Sequence, residues 1–398
     1  MVGIVLAGLA ALTLACAQQP PADSLVVTDD AQLRRVASEI LPELAERSGL
    51  ELREPVRIAR RSRAELQRYL AAQLDEEMPP AEAALIARSY HLLGMVPEGM
   101  DLRALLLSVY TEQVAGFYDP DSTALFVMDD QPAEALRTVL IHELVHAVQD
   151  QAVDLDSLTA RERGNDRQTA ALAAIEGHAT LVMFEYVTSQ QMGRDVDLNE
   201  IPGFTGVVRD ALQGMRDEYP VLADAPRVVQ ESILFPYLEG TTFVQRLWRE
   251  AGGRPSPLGE LLPRSTEQVT VPEATAPVRD EPTELGVTTT RATRYTNTLG
   301  AMETGIFLTE LGVGADAARG WDGDRFALVD GPDGPALAWW SVWDDAAARD
   351  RFVAAVAPRL ERLPRPARIA ARDLGGRPAA LLEVGDAGPS SAVVREAR

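Results

Sequence analysis

Two histidines and a glutamate stand in the run His142-Glu143-Leu144-Val145-His146. The run sits inside an apolar pattern, Leu136, Val139, Leu140, Leu144 and Val148, that recurs at helical spacing from about Pro132 to Gln151. Four residues advance a helix by about 400°, so the two imidazoles lie about 40° apart and one turn along, in reach of a single metal ion. Imidazole nitrogens so placed suit zinc, which binds them at about 2.0 to 2.1 Å. Glu143, turned about 100° from His142, leans over the water such an ion would hold and has the chemistry of a general base.

A catalytic zinc takes three protein ligands and leaves a fourth position for water, so a third ligand is required. Glu176 and His178 are the candidates, on a helical stretch predicted from about Asp166 to Met192. Two residues apart on a helix, they point about 200° apart, and one of them alone can face the ion. The remaining histidine, His91, stands in an apolar helix and reads as packing. For a second donor to a developing oxyanion the sequence offers Tyr118 and Tyr237. Asp150, one turn after His146, is a carboxylate within reach of orienting that imidazole. The single cysteine lies at position 16 and no Gly-x-Ser-x-Gly elbow or phosphate-binding glycine loop occurs, so other nucleophilic schemes have no candidate.

The elements that must position these groups are mostly helices. From Ala31 to about Gly253 apolar residues recur at three and four, as in Leu33, Val36, Ile40 and Leu41, and then Leu66, Tyr69, Leu70 and Leu74. One interruption, Gln113 to Tyr118, the turn Asp119 to Ser122, and Thr123 to Met128, predicts a hairpin just before the histidine helix. Pro255 to about Gly286 loses the helical period and predicts a long connection or a wrapping segment. Beyond it Phe326 to Val329 and Ala336 to Val342 predict strands, Asp345 to Leu360 a capped helix, and Ala367 to Val384 two more strands. The fold class expected is α+β: a mainly helical domain with a small sheet, followed by a small α+β domain. Trp321, Trp339, Trp340 and Trp343 cluster in the latter, which invites a glycan-binding platform, although strand alternation requires some of them in a core.

A chain of 398 residues with 46% hydrophobic and 25% charged residues is ordinary globular composition for two or three domains. Its net charge of −22 and the lack of a basic tract exclude nucleic acid as an expected partner. Val2 to Ala15 is apolar but too short for a membrane helix of about 20 residues, and it has the length of a signal-peptide core. The run Leu12-Thr13-Leu14-Ala15-Cys16 resembles a bacterial lipoprotein signal. That resemblance implies lipidation of Cys16 and an extracytoplasmic position on a bacterial membrane, or secretion if Cys16 is not lipidated.

The two metal-binding segments resemble the gluzincin branch of the zincin metallopeptidases, in which a glutamate from a second helix completes the zinc site. The resemblance implies His142, His146 and Glu176 as ligands of one zinc per chain, with His178 the alternative, and Glu143 as base. It also matches Thr123 to Met128, loosely, with the zincin edge strand that pairs with an extended substrate. Thr180 departs from the pattern, since many gluzincins carry a carboxylate four residues after the third ligand. With the leader, Gly116-Phe117-Tyr118, His142 to Gln149 and Glu176-Gly177, the chain looks like uncharacterised bacterial zincin-like lipoproteins.

The organisation expected is residues 1–16 as signal, 17–30 as linker, 31–253 as zincin-like domain, 254–289 as connection and 290–398 as α+β domain. The function expected is a membrane-tethered zinc metallopeptidase acting on peptides or proteins, with an envelope-glycan contact through the C-terminal domain. The alternative is a noncatalytic zincin-like lipoprotein serving as an envelope assembly or interaction module.

Overall fold

The computed structural model describes residues 25–201, 206, 219–271 and 280–395. The apolar leader and Cys16 lie outside the described residues. Strand β1 (Val26–Val27) leads into helix α1 (Ala31–Ser48). Asp30 Oδ1 accepts from the N–H groups of Gln32 and Leu33 at 2.8 and 3.0 Å, satisfying two of the amides that a helix start leaves without partners. Gly49 ends the helix at φ 69°, and a Cβ there would stand 2.6 Å from the Arg254 carbonyl, so backbone and space both require glycine.

Strand β2 (Val56–Arg61), helices α2 (Arg63–Glu77), α3 (Pro80–Leu92) and α4 (Leu102–Gln113), and the hairpin β3 (Gly116–Asp119) and β4 (Ala124–Met128) follow. The sheet order is β1-β2-β4-β3, with β1, β2 and β4 parallel and β3 antiparallel at one edge. This corrects one expectation. Thr123 to Met128 was matched with an edge strand, but β4 lies between β2 and β3 with all five residues buried, and β3 holds the edge. An interior strand has neighbours on both sides, so β3 alone of the pair can add a further strand.

Helices α5 (Ala133–Ala152), α6 (Leu155–Thr159), α7 (Asn165–Met192), α8 (Pro220–Asp224), α9 (Arg227–Ala251) and α10 (Thr266–Thr270) complete the first unit. Its core joins Leu33, Ile40 and Leu44 of α1, Leu140, Leu144 and Val148 of α5, Leu181 of α7 and Phe243 of α9. Helix α7 is apolar enough to pass for a membrane span, but most of it is buried inside the protein. Leu258, Leu262 and Val269 belong to the same core, so the stretch after Gly253 wraps the helical unit, one of the two forms expected of it.

The C-terminal part contains β5 (Leu285–Thr289), β6 (Thr293–Asn297), α11 (Gly300–Glu310), β7 (Trp321–Gly331), β8 (Gly334–Trp343), α12 (Ala346–Val356), β9 (Ala367–Leu374), β10 (Arg377–Val384) and β11 (Ser390–Val394). An antiparallel sheet of order β6-β7-β8-β10-β9 packs one face on α11 and α12, and its other face buries apolar side chains with the β5–β11 pair. Because β5 pairs with β11, this part starts at Leu285, before the expected boundary at 290. Nor are the two cores separate: Leu92, Leu93, Val228 and Val229 pack with Phe307, Trp339 and Phe352. The fold is α+β, as its sequence implies.

Candidate metal centre

Helices α7 and α9 cross where neither has a side chain. A Cβ on Gly177 would stand 2.0 Å from the Gly240 carbonyl carbon, and one on Gly240 would stand 2.0 Å from the Ala173 oxygen. Backbone contact at that crossing sets Glu176, next to Gly177, against Tyr237, one turn before Gly240. Pro236 removes one helical hydrogen bond at the turn that carries Tyr237.

Helix α5 supplies the other groups. The His142 and His146 rings meet edge to face at 4.7 Å. His142 Nε2 lies 3.1 Å from Glu176 Oε2 and 3.1 Å from His146 Nε2, and His146 Nε2 lies 3.4 Å from Glu176 Oε2. Ligands at about 2.1 Å around a tetrahedral zinc are separated by about 3.4 Å, so the three atoms are spaced as one face of that tetrahedron. Among the described residues no other group of three His, Cys, Asp or Glu brings its ligand atoms together in this way.

The electrostatics of the three groups are mutual. Burial alone would raise the Glu176 carboxyl, but His146 and His142 hold it well below the usual carboxylate range. Burial would lower His146, yet the Glu176 carboxylate raises it to about 9. Glu176 is thus held as an anion facing two rings, the electrostatic condition for a cation site.

Glu143 projects beside the triad. Its Oε2 accepts the backbone N–H of Tyr118 on β3 at 2.9 Å. Burial raises its carboxyl, with the two imidazoles pulling the other way, which brings it toward the range of a working general base. The Tyr237 ring lies 6.1 Å from that of His142. The charge of Glu176, then burial, push its phenol well above the ordinary value, and it hydrogen-bonds Glu176. It is a neutral O–H donor at the site at any physiological pH.

The other sequence candidates fall elsewhere. His178 is fully buried on the far face of α7, with Nε2 3.0 Å from the Ser48 carbonyl and its ring edge-on to Trp248. Burial lowers it to about 4, so it is neutral. The third position of the triad is Glu176, and His178 as its alternative is corrected. Tyr118 donates its hydroxyl to Asp150 Oδ2 at 2.9 Å, whereas Tyr237 bonds Glu176 of the triad itself, so of the two expected donors Tyr237 is the one set against the triad. Asp150 holds that tyrosine and the Leu155 N–H instead of orienting His146. That task falls to Gln149, which the sequence reading passed over although it stands three residues after His146 and so on the same helix face. His91 contacts the Val96 carbonyl, as expected of a packing residue. All four clustered tryptophans are buried, at 1 to 7% exposure, and the Nε1 groups of Trp339, Trp340 and Trp343 bond Asp324, Ser390 and Ser341. No indole face is left for a sugar, so the glycan contact loses the observation that suggested it.

The comparisons concern the other end of the chain. A family model described as a domain of unknown function (DUF8575) matches residues 287–395, from within β5 to the residue after β11. The helices that carry His142, His146 and Glu176 fall outside that match. No curated protein matches the chain, and no solved structure does.

Proposed function

We propose that this protein is a zinc-dependent metallopeptidase, tethered outside the cytoplasm of a bacterial cell by a lipid on Cys16. The observation that carries the enzymatic part is the triad of His142 Nε2, His146 Nε2 and Glu176 Oε2 at mutual distances of 3.1 to 3.4 Å, with Glu143 beside it. Zinc held there would supply Lewis acidity toward a peptide carbonyl and make nearby water acidic. Glu143 takes the proton of the attacking water and passes it to the leaving amine as the C–N bond breaks. Tyr237, kept protonated by Glu176, donates to the carbonyl oxygen as charge develops on it. A substrate strand laid along the open edge of β3 would pass Tyr118, whose N–H touches Glu143, and so would bring its carbonyl to the base. The resemblance to gluzincins supports the same reading, and the leader sequence supports the tether.

Elemental analysis of the chain without residues 1–16 tests it. Wild type is expected to hold about one zinc, His146→Ala and Glu176→Ala none, and His178→Ala about one at saturating zinc. Peptide-library cleavage by wild type, lost in Glu143→Gln, completes the case. A wild type that binds no zinc, or that binds it and cleaves nothing, rejects the reading.

A further inference from the structure

Ligand distances describe where His146 Nε2 sits, but binding also requires that its proton be on the other nitrogen. The surroundings settle that from both ends. Gln149, fully buried, places Nε2 3.0 Å from the Ile175 carbonyl and 2.9 Å from His178 Nδ1, and Oε1 2.8 Å from His146 Nδ1. A carbonyl accepts and never donates, so Ile175 fixes which way the Gln149 amide faces: nitrogen toward α7, oxygen toward His146. The oxygen in turn accepts, so the proton that His146 keeps when it gives one up to bind a metal is the one on Nδ1. At the other end the Ser48 carbonyl, 3.0 Å from His178 Nε2, requires the His178 proton on Nε2. His178 Nδ1 then has a lone pair facing the second N–H of Gln149, and every donor meets an acceptor.

We infer that Gln149 and His178 form a directional hydrogen-bond relay, from the last turn of α1 through α7 to α5, that presets His146 with its Nε2 lone pair toward the metal. This rests on the metal-site reading above. The Gln149 amide does a second thing. By binding the carbonyl of Ile175, the residue before Glu176, it ties the backbone of the third ligand to the first ligand helix, so one side chain sets two ligands from two helices. Neither residue touches the metal or the substrate; both act by positioning, as partners of ligating imidazoles do.

The relay is testable without a variant, because the chain has four histidines. Long-range proton–nitrogen correlation spectra of the zinc-loaded full chain in detergent, labelled with 15N in histidine, read each tautomer. The expected result is His178 protonated at Nε2 and His146 at Nδ1; His178 protonated at Nδ1 would overturn the relay. Zinc competition against a chelator supplies the second arm. Gln149→Met, similar in size but without the amide, is expected to weaken zinc binding by about 10- to 100-fold, and Gln149→Glu, which keeps the acceptor for His146 but loses the donors to Ile175 and His178, to restore only part of it. Equal zinc affinity in wild type and in folded Gln149→Met, with only the unfolding temperature lowered, would make Gln149 a packing residue and reject the inference. A wild type that binds no zinc fails at the metal reading itself, before the variants are compared.

Discussion

Helix α7 carries a carboxylate in each of two neighbourhoods, Glu176 half-buried and Asp166 buried, and they behave in opposite ways. Glu176, in its middle, faces two imidazoles and is held as an anion. Asp166, near its start, lies where the first unit meets the C-terminal part, and its Oδ1 accepts from the N–H and hydroxyl of Thr266 on α10 at 3.0 and 2.6 Å. Close by, Asp324 accepts from the N–H groups of Leu299 and Gly300, and Glu303 from Tyr90 and Asn165. These are neutral donors. Burial raises Asp166 to about 7, with Asp324 adding to it and Thr266 and Arg167 opposing. Burial likewise raises Glu303 to about 8 and Asp324 to about 6. Burial pushes all of these carboxyls up, and the groups that face each one decide whether that push prevails. One neighbourhood has the charge that suits a cation, and the other has the donors that suit a protonated acid.

Neutral, nearly isosteric substitutions at both places break the comparison most directly. Glu176→Gln is expected to abolish zinc retention, whereas Asp166→Asn keeps about one zinc per chain, because an amide can replace a protonated acid beside Thr266. Elemental analysis reads both, and zinc loss in Asp166→Asn would mean that the two neighbourhoods are not independent. Next in size is the base. Glu143→Gln should lower peptide cleavage by about 10²- to 10⁴-fold with zinc content unchanged, since it removes proton transfer and not a ligand. A turnover within threefold of wild type would take Glu143 out of the mechanism.

The crossing that brings Glu176 to Tyr237 is a steric matter and should respond as one. Gly240→Ala drives a methyl into the Ala173 carbonyl, and separation of the helices is expected to cost about 3 kcal/mol in urea unfolding. An unchanged midpoint would mean that the crossing is looser than its distances.

A pH slope is the last test, and its sign differs between the two neighbourhoods. Asp166 has a folded value raised above 3.8, so the stability it contributes is fully present below 3.8 and is lost as pH rises through about 7. Glu303 and Asp324 follow through about 8 and about 6. Unfolding free energy at fixed zinc saturation should therefore fall between pH 5 and pH 9, by at most about 1.4 kcal/mol per pH unit for each proton released. Asp166→Asn should flatten the slope. Zinc retention runs the other way, because its imidazoles must be deprotonated, and it should be lost on acidification to about pH 4. Stability that rises over pH 5 to 9 would contradict the proton-holding description of the junction.

Much of the site was legible before any coordinates. Helix period set His142, Glu143 and His146 on one helix, and the observed α5 spans Ala133–Ala152 against an expected Pro132 to Gln151. The hairpin ahead of it and the C-terminal strands were also visible, because turn residues and alternation are local signals. Strand β2 was missed. Its VRIARR run puts arginines in a strand whose apolar residues are only Val56, Ile58 and Ala59, and its pairing partners, β1 and β4, are distant in sequence. The shared core between α3, α9 and the C-terminal sheet was equally invisible, since helical period says which face is apolar and not what covers it.

The sequence by itself determined the chemistry on offer: two imidazoles and a carboxylate at helical spacing, a second helix bearing both Glu176 and His178, and tyrosines on either side. Those follow from backbone periodicity, which is local. Tertiary structure decided which groups were used. The Gly177–Gly240 contact turns Glu176 toward the histidines and so sends His178 to the opposite face of α7, where Ser48 and Gln149 meet it. Asp150 holds the Tyr118 hydroxyl while Tyr237 stands over the triad. Such choices depend on how distant helices cross and on which partner reaches a side chain first, and these are properties of packing that no single segment contains.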